Sequence, residues 1–148
     1  MKNIPSIEAQ QILIKKIIFS FYSKVTTDFL LGYHFKKIQE FEIDPKGHPL
    51  RPTMEAFSTH IPKINEFWCR QLLATTIDNS IKFDLINTHN YLSINKGELN
   101  RFQLLFREEL ELYEQELRGF ELYEIWQEKL SHFVEIFIRV YFSAPTGP

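Results

Sequence analysis

The chain has 148 residues, with 17 Lys+Arg against 19 Asp+Glu for a formal net charge of −2, and is 44% hydrophobic and 24% charged. This is a one-domain length with the composition of an ordinary soluble globular domain, and it excludes a nucleic-acid binder held mainly by a basic surface. Aromatics reach 15%, with 14 Phe, while glycine totals 5, so there is little room for tight hairpins or glycine-rich phosphate loops, and the many rings either fill a core or wall a large apolar ligand.

A single domain over residues 1–148 is expected, with 1–10 and 143–148 as frayed tails. The N-terminal apolar stretch is interrupted by Lys15 and Lys16 and lacks a small-residue cleavage pattern, which makes it a poor signal peptide. No run of about 18 apolar residues occurs, so no transmembrane helix is predicted, and a cytoplasmic protein is expected. The first periodic segment carries Ile14, Ile17, Ile18, Phe21, Tyr22, Val25 and Phe29 at steps of three and four, with Gly32 as its stop. Pro45, Gly47, Pro49 and Pro52 mark a loop. A second helix displays Phe57, His60, Ile61, Ile64, Phe67, Trp68 and Leu72; a start at Ser58 or Thr59 leaves Pro62 in the first turn, where its missing N–H costs little.

A short apolar piece follows around Phe83, Leu85, Ile86 and His89. Two longer helices come next, one through Leu99, Phe102, Phe106, Leu110, Tyr113 and Leu117 to Gly119, the other from Leu122 through Trp126, Leu130, Phe133 and Phe137 to Tyr141. No period-two run interrupts the pattern, and the chain is predicted to be all-α.

Few residues offer chemistry. The single cysteine, Cys69, excludes an intramolecular disulfide and any zinc site with two Cys ligands from one chain; with no activating base nearby in sequence, it reads as structural. The acidic run Glu108, Glu109, Glu111, Glu114 and Glu116 keeps the helical period of its apolar neighbours and reads as a solvated face. No nucleophile elbow supports a helical hydrolase. His60 lies on the apolar stripe of its helix, and His89 follows Leu85 and Ile86 at helical spacing, so both rings are expected to point inward. Taken singly, each is simplest as a partly buried histidine bonded to backbone, and Tyr22 as core filler. Together, two inward histidines and an inward tyrosine in a Phe-rich helical domain suit haem, which needs one imidazole for iron, apolar walls and a few polar groups on the open face.

Three ordered blocks, FYSKVTTDFLLGYHF, FSTHIPKINEFWCRQLL and THNYLSINKGELNRFQLLF, resemble the B-helix, E-helix and proximal-histidine to G-helix segments of the truncated haemoglobins of the third bacterial group, over roughly residues 17 to 110. The resemblance implies a two-over-two helical sandwich around haem b. It puts His89 at the proximal iron-ligand position, Tyr22 and His60 on the distal side, Ile64 one turn further into the pocket, and Phe35 against the porphyrin. Trp68 and Phe102 become pocket or near-pocket walls, and Phe102 stands where the family usually has an indole N–H donor. Lys63, Lys36, Lys37 and Arg101 are candidate propionate partners. The implied function is binding of oxygen or another diatomic gas, with oxygen carriage, nitric oxide or peroxide chemistry, or sensing left open. Turnover would need an external reductase, because the chain carries no flavin or nicotinamide domain of recognisable type. The alternative is a globin-fold interaction or sensor module without haem.

Overall fold

The computed structural model describes residues 6–39, 45–46, 53–74 and 95–142. Helix α1 spans Ile7–Val25, α2 Gly32–Gln39, α3 Thr53–Phe57 and α4 Ile61–Leu73, the last two joined by a 3₁₀ turn over Ser58–His60. Helix α5 spans Lys96–Leu112, α6 Glu114–Gly119 and α7 Tyr123–Phe137, which runs into a π turn over Ile138–Phe142. No strand occurs among the described residues. The all-α expectation holds for them.

Helix α1 is fixed at its start by Ser6, whose hydroxyl accepts from the Ala9 amide at 3.0 Å. The segment from residue 7 is thus helical, not frayed. Leu13, Ile14, Ile17, Ile18, Phe21, Tyr22 and Val25 are all buried, as the periodicity predicts. The helix stops seven residues short of Gly32. The Thr26 hydroxyl donates to the Tyr22 carbonyl at 2.7 Å, and the Asp28 carboxylate accepts from the Leu30 and Leu31 amides, so local side-chain bonds supply the backbone with another set of partners. Phe29, expected on the apolar face, is 88% exposed, with the Arg101 guanidinium 5.3 Å from its ring centroid. At Gly32 the chain passes so close to itself that a Cβ would lie 3.1 Å from the Thr26 carbonyl oxygen, which favours glycine there.

Pro62 sits in the first turn of α4, as expected, although the regular α-helix begins at Ile61 and Ser58–His60 form the tighter turn. Helix α5 carries a capping box: the Asn95 side chain accepts from the Glu98 amide, and the Glu98 carboxylate accepts from the Asn95 amide. The helix predicted to run on to Gly119 breaks at Tyr113 into α5 and α6. Its stop is a Schellman arrangement: the Leu122 amide bonds the Leu117 carbonyl at 2.8 Å, the Glu121 amide bonds the Arg118 carbonyl at 3.0 Å, and Leu117 and Leu122 are both buried. The left-handed position is Glu121, at φ 58°, two residues beyond the glycine that marks the stop in the sequence.

Helix α1 packs on α4 and α5, and α7 packs on α5 and α4, closing a ring of four helices; α2 packs on α3 at one side. The centre is aromatic. Phe106 lies 4.4 Å from Phe21 and 5.8 Å from Trp126 between ring centroids, and Trp68 lies 5.6 Å from Phe106 and 5.5 Å from Trp126. Phe106 and Trp126 are essentially inaccessible, and burying such rings contributes several kcal/mol between them, about 1.5–3 for each large apolar side chain. Among the described residues no helix is long and apolar enough to cross a membrane.

The exposed Glu121 bears the left-handed penalty with no side-chain hydrogen bond to a described residue. Glu121→Gly is expected to raise unfolding stability by about 0.5–1 kcal/mol, read as a higher urea midpoint with an unchanged slope; an unchanged or lower midpoint contradicts it.

Candidate functional site

Residue 22 follows Phe21 along α1 and so turns about 100° away from it. Phe21 faces the central rings, whereas Tyr22 faces a second aromatic group on α2 and α3. Tyr22 lies 5.0 Å from Phe57 and 6.2 Å from Phe35, and Phe35 lies 4.9 Å from Phe57 at 88°. His60 completes the group, stacked on Phe57 at 5.3 Å and 19°. The near-parallel stack follows from the 3₁₀ turn, in which residues three apart eclipse one another. Tyr22 and His60, expected on the distal side, and Phe35, expected against the porphyrin, therefore share one aromatic group, and Phe57, read in the sequence only as part of a helix face, is the ring that joins them.

Tyr22 is buried, and its hydroxyl makes no hydrogen bond with any described residue. Burial pushes the phenol well above its ordinary range, so it stays a protonated donor at any physiological pH. His60 is half-buried and likewise lacks a hydrogen-bond partner among the described residues. Burial first, and the Lys63 ammonium second, hold its ring below the ordinary histidine value, favouring the neutral imidazole with one N–H donor and one lone pair.

Ile64 is buried one turn beyond His60 on α4. Trp68, one turn further, belongs to the central core, where it meets Phe67, Phe106, Trp126 and Phe133. Phe102 is partly buried beside Phe21, at 5.1 Å, and reaches Tyr22 only through that ring. His89 lies outside the described residues, as do Phe83, Leu85, Ile86 and the tail from Ser143. Arg101 is committed elsewhere: it donates to Asp28 at 2.7 Å, holding that carboxyl below its usual range and tying the α1–α2 turn to α5. Cys69 is fully buried, and burial raises its thiol to about 11, in keeping with a structural role.

Two contacts of buried carboxylates escape the sequence reading. His34 Nε2 meets a Glu98 carboxylate oxygen with both residues nearly inaccessible, joining α2 to the start of α5, and His34 Nδ1 is left without a partner. The N-x-x-E pattern of Asn95 and Glu98 is a readable helix-start signal, but nothing local indicates a partner 64 residues away. Glu109, expected on a solvated face, is only 2% exposed and accepts from Lys24 at 2.6 Å. It lies three residues past the core position Phe106 and next to Leu110, which brings it to the edge of the α1–α5 seam. Among the described residues no group of three or more His, Cys, Asp or Glu side chains is arranged to hold a metal ion. Comparisons with protein-family models, curated proteins and solved structures gave no match for this chain.

The His60 ring is expected to titrate below about 6.5, the ordinary histidine value, in an NMR titration of its ring protons. Lys63→Gln should move the midpoint upward by less than the remaining deficit, since burial is the larger cause. A wild-type midpoint at or above the ordinary value, or no upward movement in the variant, contradicts this account.

Proposed function

We propose that the chain is a haem protein of the truncated-haemoglobin type, a two-over-two helical domain in which His89 ligates the iron and Tyr22 and His60 line the opposite, ligand-binding face. The observation that carries the reading is the phenol of Tyr22: it belongs to a buried residue, is held protonated, makes no hydrogen bond with a described residue, and lies in one aromatic group with the imidazole of His60. A phenol that spends its O–H on no described residue is free to donate to an acceptor brought by a ligand. The donor set thus fits the distal side of a haem pocket, with Phe35, Phe57 and Ile64 as its apolar wall.

Haem, when bound, supplies an iron with a coordination position for a diatomic gas. The protein's own part is to recognise the charge such a ligand carries. Tyr22 donates its O–H, and His60 in its neutral form donates one ring N–H. A donor to a charged acceptor contributes about 1.5–3 kcal/mol, roughly tenfold to over a hundredfold in affinity. Phe102 has no N–H to add, so the distal donors are these two. The apolar wall excludes water and strengthens both bonds. The resemblance further suggests oxygen binding, nitric oxide or peroxide chemistry, or sensing, with an external reductase as partner wherever there is turnover.

The second reading, a globin-like interaction or sensor module without haem, draws on the direct ring contacts of Tyr22, Phe35 and Phe57, since rings packed on one another need no guest.

Expression with haem supply separates the two. The first reading expects one haem per chain, a Soret band, and a ferrous spectrum with an open or weakly held sixth position. His89→Ala should lose haem affinity or shift the spectrum. Tyr22→Phe should keep haem and release a bound diatomic gas roughly tenfold faster or more. A chain that takes up no haem, or a His89→Ala variant with full affinity and an unchanged spectrum, overturns the assignment; a stable ferrous bis-histidine form would contradict the open sixth position.

A further inference from the structure

Beside Phe21, the seam between α1 and α5 opens into a cleft of about 360 Å³. Phe21, Leu105 and Leu112 form its apolar walls, and Leu112 is 68% exposed. Its charges are unbalanced: the carboxylates of Glu108, Glu109 and Glu111 line it against the single ammonium of Lys24. Glu109 is 2% exposed, and only one of its two oxygens is used: Oε2 accepts from Lys24 at 2.6 Å, while Oε1 is buried without a hydrogen-bond partner.

We propose that this cleft binds a small organic cation, a primary amine or guanidine with an apolar body, whose N–H group donates to Glu109 Oε1. Two properties select that class. A buried carboxylate oxygen lacking a donor calls for an N–H or O–H, and the surplus of negative charge selects a cationic one and disfavours anions. The apolar walls suit a carbon chain, which an inorganic divalent ion lacks, and among the described residues these carboxylates are not arranged to hold a metal ion. Lys24 stays on Oε2 and keeps the carboxylate oriented, with its half-exposed side chain at the cleft edge. None of its lining residues is among those assigned to the proposed haem pocket, so its test does not depend on that reading.

Calorimetric titration of the purified full-length chain with hexylammonium chloride tests the proposal, with hexan-1-ol and hexanoate as uncharged and anionic probes of similar size. Saturable 1:1 binding of hexylammonium is expected, at least tenfold tighter than either other probe, with amide NMR shifts at Leu105 and Leu112. Glu109→Gln should weaken it about tenfold or more, the loss of one charge-assisted hydrogen bond. Glu108→Gln, which leaves the buried carboxylate in place, should weaken it severalfold, and Glu116→Gln, outside the cleft, should leave it unchanged. The proposal is overturned by hexan-1-ol binding as tightly as hexylammonium, by Glu108→Gln binding as wild type does, or by no saturable binding of hexylammonium at millimolar concentration.

Discussion

The described structure hangs on two neighbouring rings, Phe21 and Tyr22, which α1 points in different directions. Phe21 is the contact through which α1 joins Phe102 and Phe106 of α5 and, by way of Phe106, the tryptophans of α4 and α7. Tyr22 is the contact through which the same helix meets Phe35 and Phe57. One helix rotation therefore sets both the central core and the candidate site. A slip that moved Tyr22 would withdraw Phe21 from its contacts with Phe102 and Phe106, so the position of the phenol is maintained by core energetics rather than by polar contacts of its own. A rigid support of that kind lets a donor remain unpartnered inside a folded protein.

Charged contacts add direction to this packing. Asp28 with Arg101, Lys24 with Glu109, and His34 with Glu98 all run from the N-terminal helices to α5, at separations of 73, 85 and 64 residues. In each the carboxylate is buried, while Lys24 and Arg101 keep part of their side chains in water, so the net stability gained is modest, but removing the partner of a buried carboxylate is costly. Their effect is to fix the register of α5 against α1 and α2. Glu98 does so while also capping α5, so the start of that helix and the position of α2 are tied through a single carboxylate.

The all-α class was legible because the apolar residues of α1, α4, α5 and α7 recur at helical steps with little ambiguity. Tyr22, Phe35 and His60 could be proposed as neighbours through the resemblance, and their contacts with Phe57 agree with that. The boundaries were less legible. Thr26 and Asp28 end α1 through side-chain bonds to the backbone, a competition that an apolar period does not register. Gly119 advertises a helix end, whereas the left-handed conformation falls on Glu121. The burial of Glu109 and of His34 with Glu98 could not be read, since each depends on a partner far along the chain. The resemblance makes Trp68 a pocket or near-pocket wall, while its ring contacts with Phe106, Trp126 and Phe133 are those of the aromatic core, a packing that depends on partners far along the chain.

The short 3₁₀ turn ahead of Pro62 has a geometric consequence. Each residue of such a turn advances about 120° around the axis, against about 100° in an α-helix, so three residues accumulate a difference of roughly 60°. His60 lies over Phe57 because of that extra winding; continued as an α-helix, the same three residues would point the imidazole well to one side of the ring. The aim of His60 relative to Tyr22 is thus a torsional property of Ser58–His60, a dial of one turn whose two settings differ in backbone winding and not in any side chain.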